Sequence, residues 1–431
     1  MTDLLKTLYP VFLEHPAIST DSRQVQPGSL FFALKGDNFN GNAFALTALE
    51  KGAAFAVVDE AEYGSDPRCI LTGNVLQTLQ ELATHHRNQF DIPVIAVTGT
   101  NGKTTTKELA FAVLSEKYNT LATKGNLNNH IGVPLTLLKM TRETEIALIE
   151  MGANHPGEID FLCRIAQPGF GLITNIGRAH LEGFGGFQGV VRTKTELYRF
   201  LRETGGTVFL NNQDELLQEH ATGITTVTYG KAPADLVAAN IEAEPFVRMH
   251  LLYTGGCGDD IVSGLYGRYN ASNILAAAVI GQHFGVSPRK IKTAVESYRP
   301  DNNRSQVTQT ARNLLIMDAY NANPSSMEAA LTTFAKAGYP DKTIILGDML
   351  ELGADTDAEH RLILDLIDDL GFPNVYLVGP VFTRLNTRRE NLCFHDSELA
   401  RLWLEFHKIT QQTILIKGSR GIRLEKLVAE L

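Results

Sequence analysis

The sequence has few cysteines, no long apolar run and no excess of basic charge, and each absence excludes a class of protein. Only four of its 431 residues are cysteine, and they stand singly, without a CxxC pair. This argues against a zinc ribbon or a disulfide framework, so we expect reduced, structural thiols. No stretch reaches the roughly 18 consecutive apolar residues of a membrane-spanning helix, and the first residues lack the pattern of a secretory leader. We therefore expect a cytoplasmic protein without membrane insertion.

The net charge of −9 limits the partners that this chain can bind. It provides no basic field that would attract nucleic acid or anionic lipid, so any phosphate site must be local. Hydrophobic residues make up 44% of the chain and charged residues 20%, which is typical of a globular protein. A chain of this length should divide into about two to four domains.

Apolar strands alternate with helical segments along the chain, which predicts an α/β fold with three domains. Residues 1–88 form a small N-terminal α/β domain, with strands at 29–34 and 53–59 and a helix at 43–51 between them. Residues 89–302 form a central domain with a parallel sheet, with strands at 93–99, 146–152 and 170–177. Residues 303–431 form a C-terminal Rossmann-like domain, with strands at 314–320, 342–348, 374–379 and 413–419. A hinge is expected at about 302–304.

Residues 94–108 read VIAVTGTNGKTTTKE, a buried strand, a glycine-containing turn and the start of a helix. Such a loop holds phosphate oxygens with its backbone N–H groups, while Lys103 supplies positive charge and Thr104 a Mg²⁺ ligand. Val97 stands where the strict consensus has glycine, so the match is to a shorter TGTNGKT variant. The alternative is an ordinary strand–turn–helix with a surface lysine. We predict a mononucleotide site at seven consecutive residues, Gly99, Thr100, Asn101, Gly102, Lys103, Thr104 and Thr105.

Three further side chains are candidates for metal binding. Glu150 ends an apolar strand, where open parallel sheets bind ligands, and it can share a Mg²⁺ with Thr104; a helix cap or ion-pair partner is an equally good interpretation. His180 follows another such strand, although a lone histidine is more often structural. Lys194 lies in an apolar helical stripe across 190–201, and burial depresses a lysine pKa, so a neutral amine there can add CO₂ and bind a second Mg²⁺ as a carbamate. From these residues alone, a lysine that reaches solvent from the edge of the stripe is the better interpretation.

Successive segments of the chain resemble the motifs of the Mur ligase family in the right order. They are TGTNGKTTTKE, GNLNNHIGVP, EMGANHPGEI, NIGRAHLEGFGG, RTKTELY and GRYNASNILAA. Three later blocks, DAYNANPSSM, ILGDMLELG and KGSRG, are similar to one branch in particular. The resemblance implies an ATP-dependent amide-bond ligase of peptidoglycan precursor synthesis, which adds D-alanyl-D-alanine to UDP-N-acetylmuramoyl-tripeptide through an acyl phosphate and releases ADP and phosphate.

The resemblance also implies roles for single residues. Lys103 and Thr104 would bind the triphosphate and one Mg²⁺, with Glu150 as a shared ligand, while His180 and carbamylated Lys194 would hold a second Mg²⁺. The remaining nucleotide contacts would be adenine for Asn270, phosphate for Arg304 and ribose for Asp318. The residues implied for the substrates are Ser22 and Arg23 for the UDP end, and Asn128, Asn129, Tyr320, Asn321 and Asn323 along the channel. From the residues alone, each asparagine is equally well explained as a turn residue.

In one loop the sequence departs from the family. In KGDNFNGNAF, Asn42 replaces a histidine and Asn40 an aspartate, so we expect a changed UDP contact there. Two alternatives stay open: a folate polyglutamate ligase, which shares the ATPase motifs, and a nucleotide switch or silent UDP-sugar binding protein. The DSR and DAYNANP blocks argue against a folate ligase. The three candidate metal-binding side chains argue against a switch or a silent binding protein. A monomer is expected.

Overall fold

The computed structural model describes residues 3–179, 181–243, 246–300, 304–388 and 390–431. The chain divides into two compact units. The first comprises residues 1–96, 118–153 and 157–171, and the second comprises 97–117, 154–156 and 172–431. The predicted boundaries at 88 and 302 stay predictions, and the expected hinge residues 302 and 303 lie outside the described residues.

The first unit begins with a small α/β layer. Its elements are α1 (Asp3–Glu14), β1 (Ile18–Ser19), β2 (Leu30–Phe32), β3 (Lys35–Gly36), β4 (Phe39–Asn40), α2 (Ala45–Glu50), β5 (Phe55–Val58), β6 (Cys69–Leu71) and α3 (Val75–Arg87). Strands β1, β2, β5 and β6 form a parallel sheet in that order. Apolar side chains of β2, α2 and β5 pack together as its core. The two strands and the helix predicted in this region are confirmed.

The middle of the chain carries the predicted phosphate loop. Its first elements are β7 (Val94–Thr98), α4 (Lys103–Ser115), β8 (Thr120–Ala122), α5 (Gly132–Leu137), β9 (Ile146–Glu150), α6 (Glu158–Ala166) and β10 (Phe170–Ile173). Every residue of β7 and β9 is buried, as expected for parallel strands that are covered on both faces. In the first unit, β7, β9 and β8 are neighbours in that order. The strands predicted from 93 and 146 are confirmed, and the strand predicted at 170–177 ends at Ile173.

The second unit continues with helices and then with an antiparallel extension that the sequence analysis did not predict. The elements are α7 (Leu181–Phe184), α8 (Phe187–Lys194), α9 (Glu196–Thr204), β11 (Thr207–Asn211), α10 (Glu215–Ala221), β12 (Thr225–Gly230), β13 (Leu236–Glu242), β14 (Phe246–Tyr253), β15 (Gly258–Tyr266), α11 (Asn270–His283) and α12 (Pro288–Ser297). Strands β11 to β13 are parallel neighbours, whereas β14 is antiparallel to both β13 and β15.

A six-stranded sheet forms the C-terminal part of the second unit. Its elements are β16 (Gln306–Gln309), β17 (Leu314–Asp318), α13 (Pro324–Lys336), β18 (Lys342–Gly347), α14 (Thr356–Leu370), β19 (Asn374–Val378), α15 (Pro380–Leu385), β20 (Leu392–Phe394), α16 (Ser397–Phe406) and β21 (Thr413–Lys417). The strand order is β16-β17-β21-β18-β19-β20, and β16 alone of these six is antiparallel to its neighbour. Because the other five strands are parallel, the loops after β17, β18 and β21 meet at one edge. All four strands predicted here are confirmed.

Short 3-10 helices complete the described elements, at Gly41–Phe44, Ala61–Tyr63, Gly353–Asp355, Arg420–Ile422 and Leu424–Glu430. The four cysteines are all in the described part of the chain and are free thiols. None of the helices described is both long and apolar enough to cross a membrane.

Candidate active site

The predicted phosphate loop lies between β7 and α4, with Gly102 directly before the helix. Gly99 and Gly102 have φ angles of +139° and +80°, which residues with side chains rarely adopt. Neither has room for a side chain, because a Cβ on Gly99 would clash with the Thr174 hydroxyl and one on Gly102 with the Asn273 amide. Glycine is therefore required at both positions, and it lets the backbone approach a ligand closely.

The segment after β10 holds this loop in shape. The Asn101 N–H donates to Asn175 Oδ1 at 3.0 Å, and the Asn101 carbonyl accepts from Thr174 Oγ1 at 2.6 Å and from Asn175 Nδ2 at 3.0 Å. The Thr100 N–H donates to the Asn175 carbonyl at 2.9 Å. The sequence analysis assigned no role to Thr174 or Asn175, although their place after an apolar strand was an available signal.

Lys103 begins α4 and bends back over the loop. Its Nζ donates to the carbonyl oxygens of Gly99 at 2.7 Å and Thr100 at 3.1 Å. Thr104 and Thr105 follow in the first helical turn and are buried. An ammonium in this place lies beside any phosphate that the loop N–H groups bind, and phosphate oxygens can replace the two carbonyls as its partners.

One amide pair joins the loop to the C-terminal sheet region. Asn323 lies directly before α13, and its Nδ2 donates to Asn101 Oδ1 at 2.8 Å. Asn323 Oδ1 accepts the Ser326 N–H at 2.9 Å, and Ser326 Oγ accepts the Asn323 N–H at 3.1 Å, which is a capping box. The start of α13 is thus fixed and held against the phosphate loop. The predicted substrate role of Asn323 stays a prediction.

Three predicted residues gather at the carboxyl end of β17. Asp318 Oδ2 lies 2.6 Å from Nζ of Lys417, a buried lysine at the end of the adjacent strand β21. The Tyr320 ring centre lies 3.7 Å from the guanidinium carbon of Arg304 and 5.1 Å from that of Arg420. The structure therefore adds Lys417 and Arg420 to this edge, and sequence analysis noted them only as part of the KGSRG block.

The side chains of two predicted ligand-binding residues, Asn321 and Asn270, form hydrogen bonds within the protein. Asn321 is exposed and accepts the N–H of Ala322 at 2.9 Å, as a turn residue does. Asn270, predicted to contact adenine, is 1% exposed. Its Nδ2 donates to the Tyr266 carbonyl at 2.7 Å, and its Oδ1 accepts from Asn273 at 2.8 Å. These bonds fix the start of α11, and the adenine contact stays a prediction.

Lys194 is enclosed, as a carbamate would require. It ends α8, is 2% exposed, and its Nζ lies 5.4 Å from the centre of the Phe184 ring. The apolar members of the predicted stripe are also buried, although the helix is interrupted before α9 starts at Glu196. The lysine therefore does not reach solvent from the edge of the stripe. Its carbamate stays a prediction, and His180 lies outside the described residues.

In the first unit, Glu150 is a buried carboxylate at the end of β9. Its N–H donates to Thr123 Oγ1 at 3.0 Å, and its Oε1 accepts from Asn128 Nδ2 at 2.8 Å. Asn128 thus positions the carboxylate. Asn129 accepts the Gly132 N–H at 2.9 Å at the start of α5, as the turn-residue interpretation expects.

The predicted UDP residues lie in an exposed turn of the first unit. The Arg23 side chain is 85% exposed, and its Nη2 lies 2.7 Å from Asp21 Oδ2. Hydrogen bonds from Arg23 lower the pKa of Asp21 to about 2. The Ser22 carbonyl accepts from Lys51 at 2.8 Å. The guanidinium is accessible to a diphosphate, and this role stays a prediction.

Asn42 is buried within the first unit. It is 0% exposed, and its Nδ2 donates to Asn40 Oδ1 at 2.9 Å and Asp59 Oδ1 at 2.8 Å, while its Oδ1 accepts the Asp59 N–H at 2.9 Å. Burial raises the pKa of Asp59, but hydrogen bonds from Lys35, Asn42 and the Val75 N–H lower it by more than burial raises it. The pKa of Asp59 is therefore below its ordinary value. The Asn42 amide is therefore used inside the domain, and its effect on a UDP contact stays a prediction.

The predicted metal donors fit Mg²⁺ by their chemistry. Thr104 and Glu150 offer oxygen, which Mg²⁺ prefers, and Lys194 would offer oxygen as a carbamate. Within the described ranges, no group of three or more histidine, cysteine, aspartate or glutamate side chains is arranged to hold a metal ion. His180 lies outside those ranges.

Three family models match consecutive parts of the chain. "Mur ligase family, catalytic domain" matches residues 16–97, "Mur ligase middle domain" matches 97–281, and "Mur ligase, glutamate ligase domain" matches 303–420. The chain belongs to the Mur ligase family. It is thus a ligase, as the motifs predicted.

The relatives named below belong to one branch of this family, the D-alanyl-D-alanine-adding ligases. UDP-N-acetylmuramoyl-tripeptide--D-alanyl-D-alanine ligase of Escherichia coli (strain K12) is 36% identical over 100% of this chain and 97% of the relative. A crystal structure of MurF from Acinetobacter baumannii has a TM-score of 0.88 at 31% identity, covering 99% of this chain and 98% of that one. MurF ligase from Thermotoga maritima in complex with ADP has a TM-score of 0.85 at 26% identity, covering 100% and 98%. The predicted fold class is confirmed.

Proposed function

We propose that this chain is an ATP-dependent ligase that joins D-alanyl-D-alanine to UDP-N-acetylmuramoyl-tripeptide. The name of the E. coli relative supports these substrates, and the ADP in the T. maritima structure supports ATP as the nucleotide. The observation that carries the proposal is the phosphate loop in contact with a second α/β region through Asn101 and Asn323. Phosphoryl transfer to another substrate needs such a loop beside the groups that position the acceptor.

The proposed reaction has two steps. The tripeptide carboxylate takes the terminal phosphoryl group of ATP, which gives an acyl phosphate and ADP. The amine of the dipeptide then attacks the acyl carbon, the amide forms, and phosphate leaves. The first two reactants are both anions, so we propose that Lys103 and Arg304 neutralise their approach.

Mg²⁺ supplies further positive charge at the phosphates when it is bound. We propose as its ligands the four residues of the sequence analysis, Thr104, Glu150, His180 and carbamylated Lys194. The three-domain division at 88 and 302 and the monomeric state belong to the same proposal. Because ATP and a nucleotide-linked precursor are the substrates, we place the reaction in the cytoplasm.

The test is ADP release that depends on both the UDP-linked tripeptide and the dipeptide. Lys103→Met should lower this rate by about 100-fold or more, whereas Lys139→Met changes an exposed lysine and should leave it unchanged. ADP release with a folate and glutamate instead would favour the folate ligase. Nucleotide binding without turnover on any substrate pair would favour the switch or the silent binding protein.

A further inference from the structure

Two arginines converge on Tyr320 in the second unit. The guanidinium carbon of Arg304 lies 3.7 Å from the ring centre and that of Arg420 5.1 Å, both within the range of cation–π attraction. In the part of the chain that the structure describes, neither guanidinium has a carboxylate partner. Two like charges beside one uncharged ring repel each other, and an anion near both would relieve that repulsion.

The Nε atom of Arg304 gives a second indication of an anion site. This atom is buried and has no hydrogen-bond acceptor among the described residues. A buried N–H without an acceptor is uncommon and costs free energy. The pair of arginines is therefore better explained as part of an anion site than as surface charge.

The position in the fold agrees with a ligand site. Tyr320 follows β17 and Arg420 follows β21, and these strands are parallel neighbours with Asp318 opposite Lys417. Both residues thus lie beyond the carboxyl ends of adjacent strands, where open parallel sheets bind ligands.

Ser419 fixes the backbone from which Arg420 extends. It is buried, its Oγ accepts the Leu350 N–H at 3.0 Å, and the same Oγ donates to the Ala322 carbonyl at 3.3 Å. These bonds tie together the loops that follow β17, β18 and β21. Arg420 itself is exposed. Its accessible guanidinium thus extends from a backbone that hydrogen bonds hold in place, as a binding residue requires.

The same edge borders the phosphate loop, because Asn323 of the Tyr320 loop donates to Asn101. In the proposed reaction, on which this inference rests, the dipeptide amine must reach the acyl phosphate there. The dipeptide carboxylate then lies about 7 Å away, the length of two extended residues. Arg304 has a predicted role at the phosphates. Arg420 is therefore the arginine that can bind the carboxylate at the other end of the dipeptide.

We propose that Arg420 binds the carboxylate of the incoming dipeptide, and that the Tyr320 ring positions its guanidinium. A guanidinium can donate two parallel hydrogen bonds to a carboxylate, which gives both affinity and orientation. Arg420 would thereby make the enzyme specific for a free carboxyl terminus.

The test compares D-alanyl-D-alanine with its C-terminal amide as acceptors. The wild-type enzyme should prefer the acid by roughly 10- to 100-fold in kcat/KM, the range for a hydrogen bond to a charged group. Arg420→Gln should remove this preference by lowering kcat/KM for the acid alone, with the KM for ATP unchanged. Arg423→Gln, a change of an exposed arginine in the same segment, should keep it.

Three results would overturn the assignment. The first is a wild-type enzyme that uses acid and amide equally well, and the second is a preference that survives in Arg420→Gln. The third is a KM for ATP that rises in Arg420→Gln while the dipeptide parameters stay the same, which would make a nucleotide phosphate the ligand. If Arg420→Gln folds poorly, Arg420→Lys provides the comparison, since lysine keeps the charge without the paired hydrogen bonds and should keep part of the preference. Absence of ADP release with any acceptor would instead contradict the proposed ligase reaction.

Discussion

The contact between Asn101 and Asn323 can be tested apart from the helix cap that Asn323 also forms. Asn323→Ser keeps a side-chain oxygen that can cap α13 but removes the Nδ2 donor that reaches Asn101 Oδ1 at 2.8 Å. Asn323→Ala removes both interactions. The two variants therefore separate the cap from the contact with the phosphate loop.

The expected costs follow from the two interactions. A neutral hydrogen bond contributes about 1 kcal/mol to the free energy of unfolding, and loss of an N-cap costs about 1 kcal/mol. Asn323→Ser should thus lose about 1 kcal/mol, and Asn323→Ala about 2 kcal/mol. Because Asn101 is part of the phosphate loop and its side chain accepts this bond, Asn323→Ser should also lower kcat/KM for ATP several-fold. Glu328→Gln, which changes an exposed residue of α13, should do neither.

The assay is urea unfolding followed by the fluorescence of Trp403. This is the single tryptophan of the chain, and it packs against Tyr376 and Phe394 in the C-terminal sheet region. A double-mutant cycle of Asn101→Ala with Asn323→Ser should give a coupling of about 1 kcal/mol, above the roughly 0.5 kcal/mol within which independent sites are additive. Additive effects of the two substitutions would refute the contact, and an Asn323→Ser variant as unstable as Asn323→Ala would refute the separation of the cap.

Three further predictions concern the buried polar groups. Asn42→His should lower the free energy of unfolding by about 3 kcal/mol, since three side-chain hydrogen bonds are disturbed, and a variant as stable as the wild type in urea would contradict this. Lys194→Ala should lose ADP release and regain part of it with acetate; rescue by ethylamine instead would favour a working ammonium. Because the folded pKa of Asp59 lies below its ordinary 3.8, its stabilising effect is complete above that pH and is lost as pH falls through the folded value. The difference in urea stability between wild type and Lys35→Met should therefore shrink in acid, and a constant difference would argue against this pair.

Strands that are buried on both faces were the most predictable part of the fold. The runs that became β7 and β9 are continuously apolar, because helices cover both sides of a parallel sheet. The extension formed by β13 to β15 was missed. In β14 buried residues alternate with more exposed ones along FVRMHLLY, and a period of two is typical of a strand that is buried on one face.

The phosphate loop could be predicted because its glycines, Lys103 and the helix start are local in sequence. The contacts that hold the loop were not predicted, since Thr174 and Asn175 reach it only after the chain has folded, and the sequence signals them only by their place after an apolar strand. Asn323 is separated from Asn101 by 222 positions. The burial of Asn42 could not be predicted either, because a polar residue in a loop that resembles a substrate segment gives no sign of burial.

The partners of the cations at the C-terminal sheet distinguish structural charges from charges that can bind a ligand. Lys417 lies at the end of β21, but its Nζ is 2.6 Å from Asp318, so an anion that binds it must compete with a carboxylate already in place. Arg304 and Arg420 lie against the uncharged Tyr320 ring, and an anion can bind them without displacing an acid. The net charge of −9 does not prevent this, because charges more than about 8 Å away are largely screened at physiological ionic strength. An anionic substrate should therefore bind at the two arginines, while Lys417 should hold Asp318 in position for its predicted contact with the ribose.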